Sequence, residues 1–163
     1  MYNAHMVAII LDHWPVDSVQ DIGRLIVPTM QAFRIDVQVA GGRRSLNDIE
    51  HKILRPNFGD PRIHAAINCA SFSCPELAPE AYVASRLDTQ LDAAMRAFLL
   101  DPQRNRVFDA PPRLSKIFDW FSEDFGDSVW AYVRGQLTPE ERARTQAGAK
   151  PKYLDYDWSL NGR

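Results

Sequence analysis

The chain has 163 residues, 45% of them hydrophobic and 25% charged, which fits one globular domain and leaves no room for two of ordinary size. Nineteen Lys and Arg against 21 Asp and Glu leave a formal charge of −2, too small and of the wrong sign for a general binder of nucleic acid or anionic membrane. No apolar run approaches the roughly 18 residues that a membrane helix needs, and Met6–Leu11, the longest near the start, lacks the basic flank of a secretion signal.

Residues 2–13 read as a helix, apolar almost all round in its second half and stopped by Trp14-Pro15, because the residue before proline is steered out of the helical region. A helix apolar on every side should be buried on every side, which predicts an N-terminal portion upstream to cover it. Phe33, Ile35, Val37 and Val39 alternate with polar residues, the pattern of a half-buried strand over 33–40 ended by Gly41-Gly42. Ser45 and Asp48 form a capping box for a short helix over 46–55 that should stop at Pro56. On its wheel Leu46, Ile49, Ile53 and Leu54 make the apolar stripe, Glu50 falls inside it, and His51 lies on its flank. A carboxylate there either meets a cation or hydrogen-bond donor from another element, with Arg62 and His64 at the start of the next element as the nearest candidates, or sits protonated.

Residues 62–69 read as a buried strand with Ile63, Ala65, Ile67 and Cys69 on one face and His64, Ala66 and Asn68 on the other. Pro75 resembles the first position of a helical turn, which puts Cys74 near an N-cap. Ser85 and Asp88 make another capping box, opening the clearest helix, with Leu87, Leu91, Met95 and Phe98 on its stripe and Asp101-Pro102 closing it. Residues 103–113 suggest a loop or short hairpin, and Ser115 caps an aromatic helix over 116–125. Two shorter helices over 129–137 and 139–145 and a strand over 152–157 complete the chain. The expectation is a single α+β domain, with a small mixed or antiparallel sheet from the strands at 33–40, 62–69 and 152–157 and several helices packed on it.

Two cysteines make neither a disulfide framework nor a four-cysteine zinc site. Cys74 is the candidate nucleophile, since a thiolate near a helix N-terminus is stabilised by free N–H groups and the helix dipole; the other reading is a small buried hydrophobe or half of a disulfide. Cys69, on the face of Ile63 and Ile67, reads as core; the two cysteines are expected as free thiols in a reducing compartment, with a short-loop disulfide open to them on export, although the strand geometry means that bridging them would need the backbone to move. A turn returning at Cys74 could bring it to His64, and cysteine hydrolases need such a base together with a group that orients it, a place Asn68 or Glu50 could take. His64 reads equally as a core histidine. His51, His64, Cys69 and Cys74 are zinc-ligand types, yet their spacing lacks a C-x2-C or H-x3-H clip, so no metal is expected. No glycine-rich phosphate loop and no G-x-S-x-G occurs, so no nucleotide cofactor is expected either. The leading expectation is a cysteine-nucleophile hydrolase or acyl transferase acting on a small molecule or peptide, with Cys74 as nucleophile, His64 as base and Glu50 or Asn68 as orienter. The alternative is a non-catalytic interaction domain in which these groups form a buried polar network.

Six motifs, Tyr2-Asn3-Ala4, Ser45–His51 with Ile53-Leu54-Arg55, Asp60–His64, Asn68–Pro75, Ser115–Phe118 with Asp124-Phe125, and Tyr156–Asn161, together resemble the domain of unknown function 547 family over nearly the whole chain. The resemblance implies a further stretch before Tyr2 and, for many bacterial members, export behind a signal peptide or lipoprotein signal. It places the family's polar signature on Asn3, Ser45, Glu50, His51, Arg55, Arg62, His64, Asn68, Cys69, Cys74, Ser115, Asp124, Asp157 and Asn161, which adds Asn3, His51 and Arg62 as supporting residues. It implies no particular activity.

Overall fold

Helix α1, Tyr2–Asp12, opens the computed structural model, which describes residues 1–23 and 30–161. It buries one stripe, Tyr2, Met6 and Ile9, while Val7 and Leu11 face outward. The expectation of burial on all sides is therefore corrected: spacings of four and three residues give one packed face, and that face is enough. The strand expected over 33–40 is shorter, β1 at Asp36–Val39, because Gln31–Arg34 curl into a 3-10 turn. β2, Gly42–Ser45, returns antiparallel with Asp36 opposite Ser45 and Val39 opposite Gly42. The tight connection needs Gly41 at φ +87°, where a side chain would be strained.

Ser45 ends β2 and caps the next helix reciprocally: its Oγ accepts the Asp48 N–H at 3.1 Å while the Asp48 carboxylate accepts the Ser45 N–H. The helix runs on as α2, Leu46–Asp48, a π turn at Ile49–Leu54, and α3, Arg55–Phe58. Pro56 does not stop it, contrary to expectation. Proline lacks an N–H and clashes with the carbonyl four residues back, and the widened π turn, in which the Arg55 N–H bonds the Glu50 carbonyl five residues back, makes room for it. The helix ends at Gly59, in left-handed conformation.

Residues 62–69 are not a strand. The Asp60 carboxylate accepts the Arg62 N–H at 2.9 Å and starts a helical turn, α4 at Ile63–Ala66, which packs on α5, Leu87–Leu100. Over so few residues an alternation of Ile63, Ala65 and Ile67 fits one helical turn as well as it fits a strand, and the turn that the Asp60 side chain makes with the Arg62 N–H decides. No helix follows Cys74, since residues 75–83 form no helix or strand. The second capping box is also absent: a 3-10 turn at Ala84–Arg86 leads into α5, and Asp88 bonds Arg62 at 3.0 Å instead. α5 buries Leu91, Met95, Phe98 and Leu99, leaving Leu87 exposed, and closes at Asp101.

β3, Arg113–Leu114, pairs in parallel with β4, Lys152–Tyr153, the only part of the expected strand over 152–157 that forms. The described residues thus hold two separate two-stranded sheets rather than one three-stranded sheet, and the class remains α+β. The aromatic helix breaks at Phe121 into α6, Ile117–Trp120, and a 3-10 turn, Ser122–Phe125. Helices α7, Val129–Gly135, and α8, Pro139–Ala143, follow.

Two apolar clusters form the core. One gathers Tyr2, Met6, Ile9, Val37, Val39, Leu46, Ile49 and Leu160; the other gathers Met95, Phe98, Leu99, Leu114, Ile117, Phe118, Trp130 and Val133. The last described segment ties the first cluster down, through Phe72 N–H to Ser159 O at 2.7 Å and Asn161 N–H to Ala70 O at 3.0 Å.

Candidate functional site

Between the two clusters lies a cavity of about 220 Å³. Phe33, Ile67, Ile117, Trp120, Phe121 and Trp158 supply its apolar wall, and Tyr2, Glu50, His51, His64, Cys69, Cys74 and Tyr156 bring polar atoms to it.

The cysteines reach it from a loop fastened behind. Asn3 donates to the Ala66 carbonyl and accepts the Asn68 N–H, both at 2.9 Å. Asn68, buried, accepts the Ala70 N–H at 2.8 Å and donates to the Pro75 carbonyl at 2.7 Å, so one side chain spans the base of the loop. Ala70 has φ +63°, a left-handed conformation disfavoured for any residue with a Cβ. That turn brings Ser71 Oγ to 2.9 Å from Cys69 Sγ and curls the chain back until the Cys69 N–H donates to Cys74 Sγ at 2.9 Å. Tyr156 Oη completes the group, 3.2 Å from Cys69 Sγ and 3.0 Å from Ser71 Oγ.

These contacts separate the two thiols. Burial opposes ionisation of Cys69, but hydrogen bonds from Cys74, Ser71 and Tyr156 outweigh it and hold the thiol below its ordinary value. Cys74 is pushed well up by burial and by the neighbouring Cys69 charge. Cys69, expected in the core, is partly exposed and faces the cavity, whereas Cys74 is buried with no helix N-terminus beside it.

The π turn sets Glu50 and His51 on the opposite side. Glu50 is 9% exposed, and Tyr2 Oη donates to its Oε2 at 3.4 Å. Burial, reinforced by the Cys69 charge, pushes its carboxyl up to about 7 against the pull of Arg55 and Tyr2. Neither expected partner pairs with it. Arg62 bonds Asp60, Asp88 and Asp92, and His64 Nε2 sits 2.7 Å from Asp124 Oδ2. Asp124 also accepts from Arg55, Nε at 2.6 Å and Nη2 at 2.9 Å, and Arg55 reaches Glu123 at 2.6 Å and His51 Nδ1 at 3.2 Å. Burial works against the Asp124 charge, yet Arg55 and His64 hold its carboxyl below the ordinary value. His64 is lowered by burial despite Asp124, and its ring stacks on Phe121 with centroids 4.2 Å apart. A carboxylate only accepts, so with His64 neutral it is Nε2 that carries the proton and Nδ1 that stays basic. His51 is also lowered, by burial and then by the Arg55 charge.

Glu50, His51, His64, Cys69 and Cys74 therefore share one cavity, Asn3 and Asn68 brace the loop behind it, and Arg62 does not line it. The residue-type reading missed Tyr2, Ser71 and Tyr156, and it left Arg55 and Asp124 to the signature alone. Among the described residues, no helix is long and apolar enough to cross a membrane and no three His, Cys, Asp or Glu are grouped to hold a metal ion.

Fold and cavity define an α+β protein with a thiol-bearing cleft between two cores. The chain matches the family described as protein of unknown function, DUF547, over residues 1–99, and it belongs to that family. The motifs at Ser115–Phe118, Asp124-Phe125 and Tyr156–Asn161 lie beyond the matched residues. No curated protein and no solved structure matches the chain.

Proposed function

We propose that the cavity is the active site of a cysteine-dependent hydrolase or acyl transferase with Cys69, rather than Cys74, as nucleophile. The observation that carries this reading is that one cleft holds Cys69 Sγ, beside the Ser71 and Tyr156 hydroxyls, together with the buried Glu50 carboxyl. Hydrogen bonding lowers the Cys69 thiol while burial raises Glu50 to about 7, which favours a thiolate in the same cleft as a carboxyl group that can still give a proton near neutral pH. Two groups whose surroundings push them apart in this way divide into nucleophile and acid. The Cys69 thiolate attacks an acyl carbonyl, Glu50 protonates the departing group, and a thioester forms on Cys69. Water or an acceptor then displaces Cys69, with His64, held by Asp124 and Phe121, or the Glu50 carboxylate taking the incoming proton. The aromatic wall favours a small molecule or peptide with an apolar acyl part.

The test is acylation by a series of p-nitrophenyl esters, followed by intact mass and peptide mapping. The expected result is a burst of nitrophenol of one per chain and an adduct on Cys69, lost in Cys69→Ala and retained in Cys74→Ala. Absence of any adduct on Cys69 across the series would favour the non-catalytic reading, in which the same polar network serves only to hold an interaction domain together.

A further inference from the structure

We infer that Cys69 and Cys74 form a peroxide-sensitive dithiol, in which Cys69 is oxidised first and Cys74 resolves it to an intramolecular disulfide. The inference rests on how the loop presents the two sulfurs. Cys74 Sγ lies 2.9 Å from the Cys69 amide nitrogen, so the second sulfur is held against the first cysteine itself. A strand over 62–69 would have pointed Cys69 into the core and away from Cys74. No strand is there, and the left-handed turn at Ala70 folds the chain back instead. Asn68 clamps both ends of the turn, at Ala70 and Pro75, so this presentation does not depend on local unfolding.

Access to the two thiols is unequal. Both cysteines line the cavity, but Cys69 is partly exposed while Cys74 is 2% exposed. The hydroxyls of Ser71 and Tyr156 stand beside Cys69 Sγ and stabilise its thiolate, the form that reacts with oxidants. A reactive, accessible thiolate next to a shielded second thiol is the arrangement of a redox sensor with its resolving cysteine.

With hydrogen peroxide as oxidant, the Cys69 sulfur attacks one peroxide oxygen and the O–O bond breaks. The sulfur loses two electrons to become a sulfenic acid, and the departing hydroxide takes a proton to leave as water. The Cys74 sulfur then attacks the Cys69 sulfur, the S–S bond forms as the S–O bond breaks, and the second hydroxide leaves as water with the Cys74 proton. A dithiol reductant restores both thiols. While the disulfide stands, the cavity has no thiolate, so oxidation turns off whatever chemistry Cys69 performs. The pairing does not depend on the acyl chemistry proposed above, and each can fail without the other.

The full chain, reduced and then exposed to hydrogen peroxide, is quenched with an alkylating agent under denaturing conditions and weighed intact. The expected product lacks two hydrogens, carries no alkyl group until dithiothreitol is added, and remains a monomer on non-reducing electrophoresis. Cys74→Ala, with its fold checked by circular dichroism, should trap the intermediate as a dimedone adduct on Cys69, whereas Cys69→Ala should leave Cys74 at least about tenfold slower to oxidise than Cys69 is in the wild type. The wild-type experiment decides even if either variant fails to fold. Wild-type protein that accumulates sulfinic acid on Cys69 with Cys74 still open to alkylation, or that forms only disulfides between chains, overturns the inference.

Discussion

Residues 1–99, which match the family, and residues 100–161, which lie beyond the match, supply the cavity with different things. The first part carries groups that change protonation state: Glu50, His51, His64, Cys69 and Cys74. The second adds partners that help set those states, Asp124 on His64 and Arg55, Phe121 under the His64 ring, and Tyr156 on Cys69, beside Tyr2, Arg55 and Ser71 from the first. The site is thus chemically composite, and the matched part alone would leave its imidazole without a carboxylate and its thiol without a phenol donor.

The largest test of that comparison is removal of the link between the parts. Asp124→Ala leaves His64, whose side chain is 1% exposed, without its carboxylate and leaves Arg55, 19% exposed, with Glu123 as its one remaining carboxylate, and should cost about 2 to 4 kcal/mol in urea unfolding. A cost within about 0.5 kcal/mol, the range of an ordinary surface change, would mean the two parts are held together by their apolar contacts alone.

Glu50 should give the next largest effect, with the opposite sign. Its folded carboxyl is raised from 4.5 to about 7, so its contribution to stability is complete below about pH 4.5 and is lost as pH rises through 7. Glu50→Gln removes that loss. The variant should match the wild type near pH 4 and be more stable at pH 8 by up to about 3 kcal/mol, from about 1.4 kcal/mol per unit. The wheel predicts the opposite, a cost of Glu50→Gln, on the assumption that Glu50 is salt-bridged to Arg62 or His64, and a destabilised variant at pH 8 would restore that view.

Ala70→Val puts a β-branched side chain at φ +63° in a buried position and should cost about 2 kcal/mol. Ala70→Gly should stay within about 1 kcal/mol of the wild type, strain relief offsetting backbone entropy. Arg62→Ala should act on stability alone. Its outer partners Asp88 and Asp92 are largely exposed, 91% and 64%, and their share should shrink in salt, while Asp60, 23% exposed and bonded through Nε and Nη2, loses a half-buried pair, so the loss should be about 1 to 2 kcal/mol and should leave Cys69 reactivity unchanged.

Local signals in the sequence were read correctly where one interaction settles the structure. Ser45 and Asp48 cap a helix as their spacing demands, and Asp101-Pro102 ends α5. Glu50 on an apolar stripe pointed to a carboxylate in need of a partner, and it is indeed buried with its carboxyl raised. The strand reading of residues 62–69 fails because an alternation of eight residues with four on its apolar face does not separate a strand from a short helical turn followed by a loop, and the bond that starts the turn is made by the side chain of Asp60. Cys69 was misplaced as a consequence, since a face assigned to a strand that does not form has no meaning. The π turn, which depends on accommodating Pro56, and the contacts of Tyr156, 87 residues from Cys69, carry no periodic trace at all.

The most direct test of the account is the pH dependence of Cys69 alkylation by iodoacetamide in the folded protein, with Cys69 and Cys74 resolved by peptide mapping. The tuning by Ser71, Tyr156 and Cys74 predicts a Cys69 rate whose midpoint lies well below the ordinary thiol value, a midpoint that moves upward in Tyr156→Phe, and a Cys74 that stays unmodified until the chain unfolds. A Cys69 midpoint at the unperturbed value of about 8.5, or equal labelling of the two cysteines in folded protein, would contradict it.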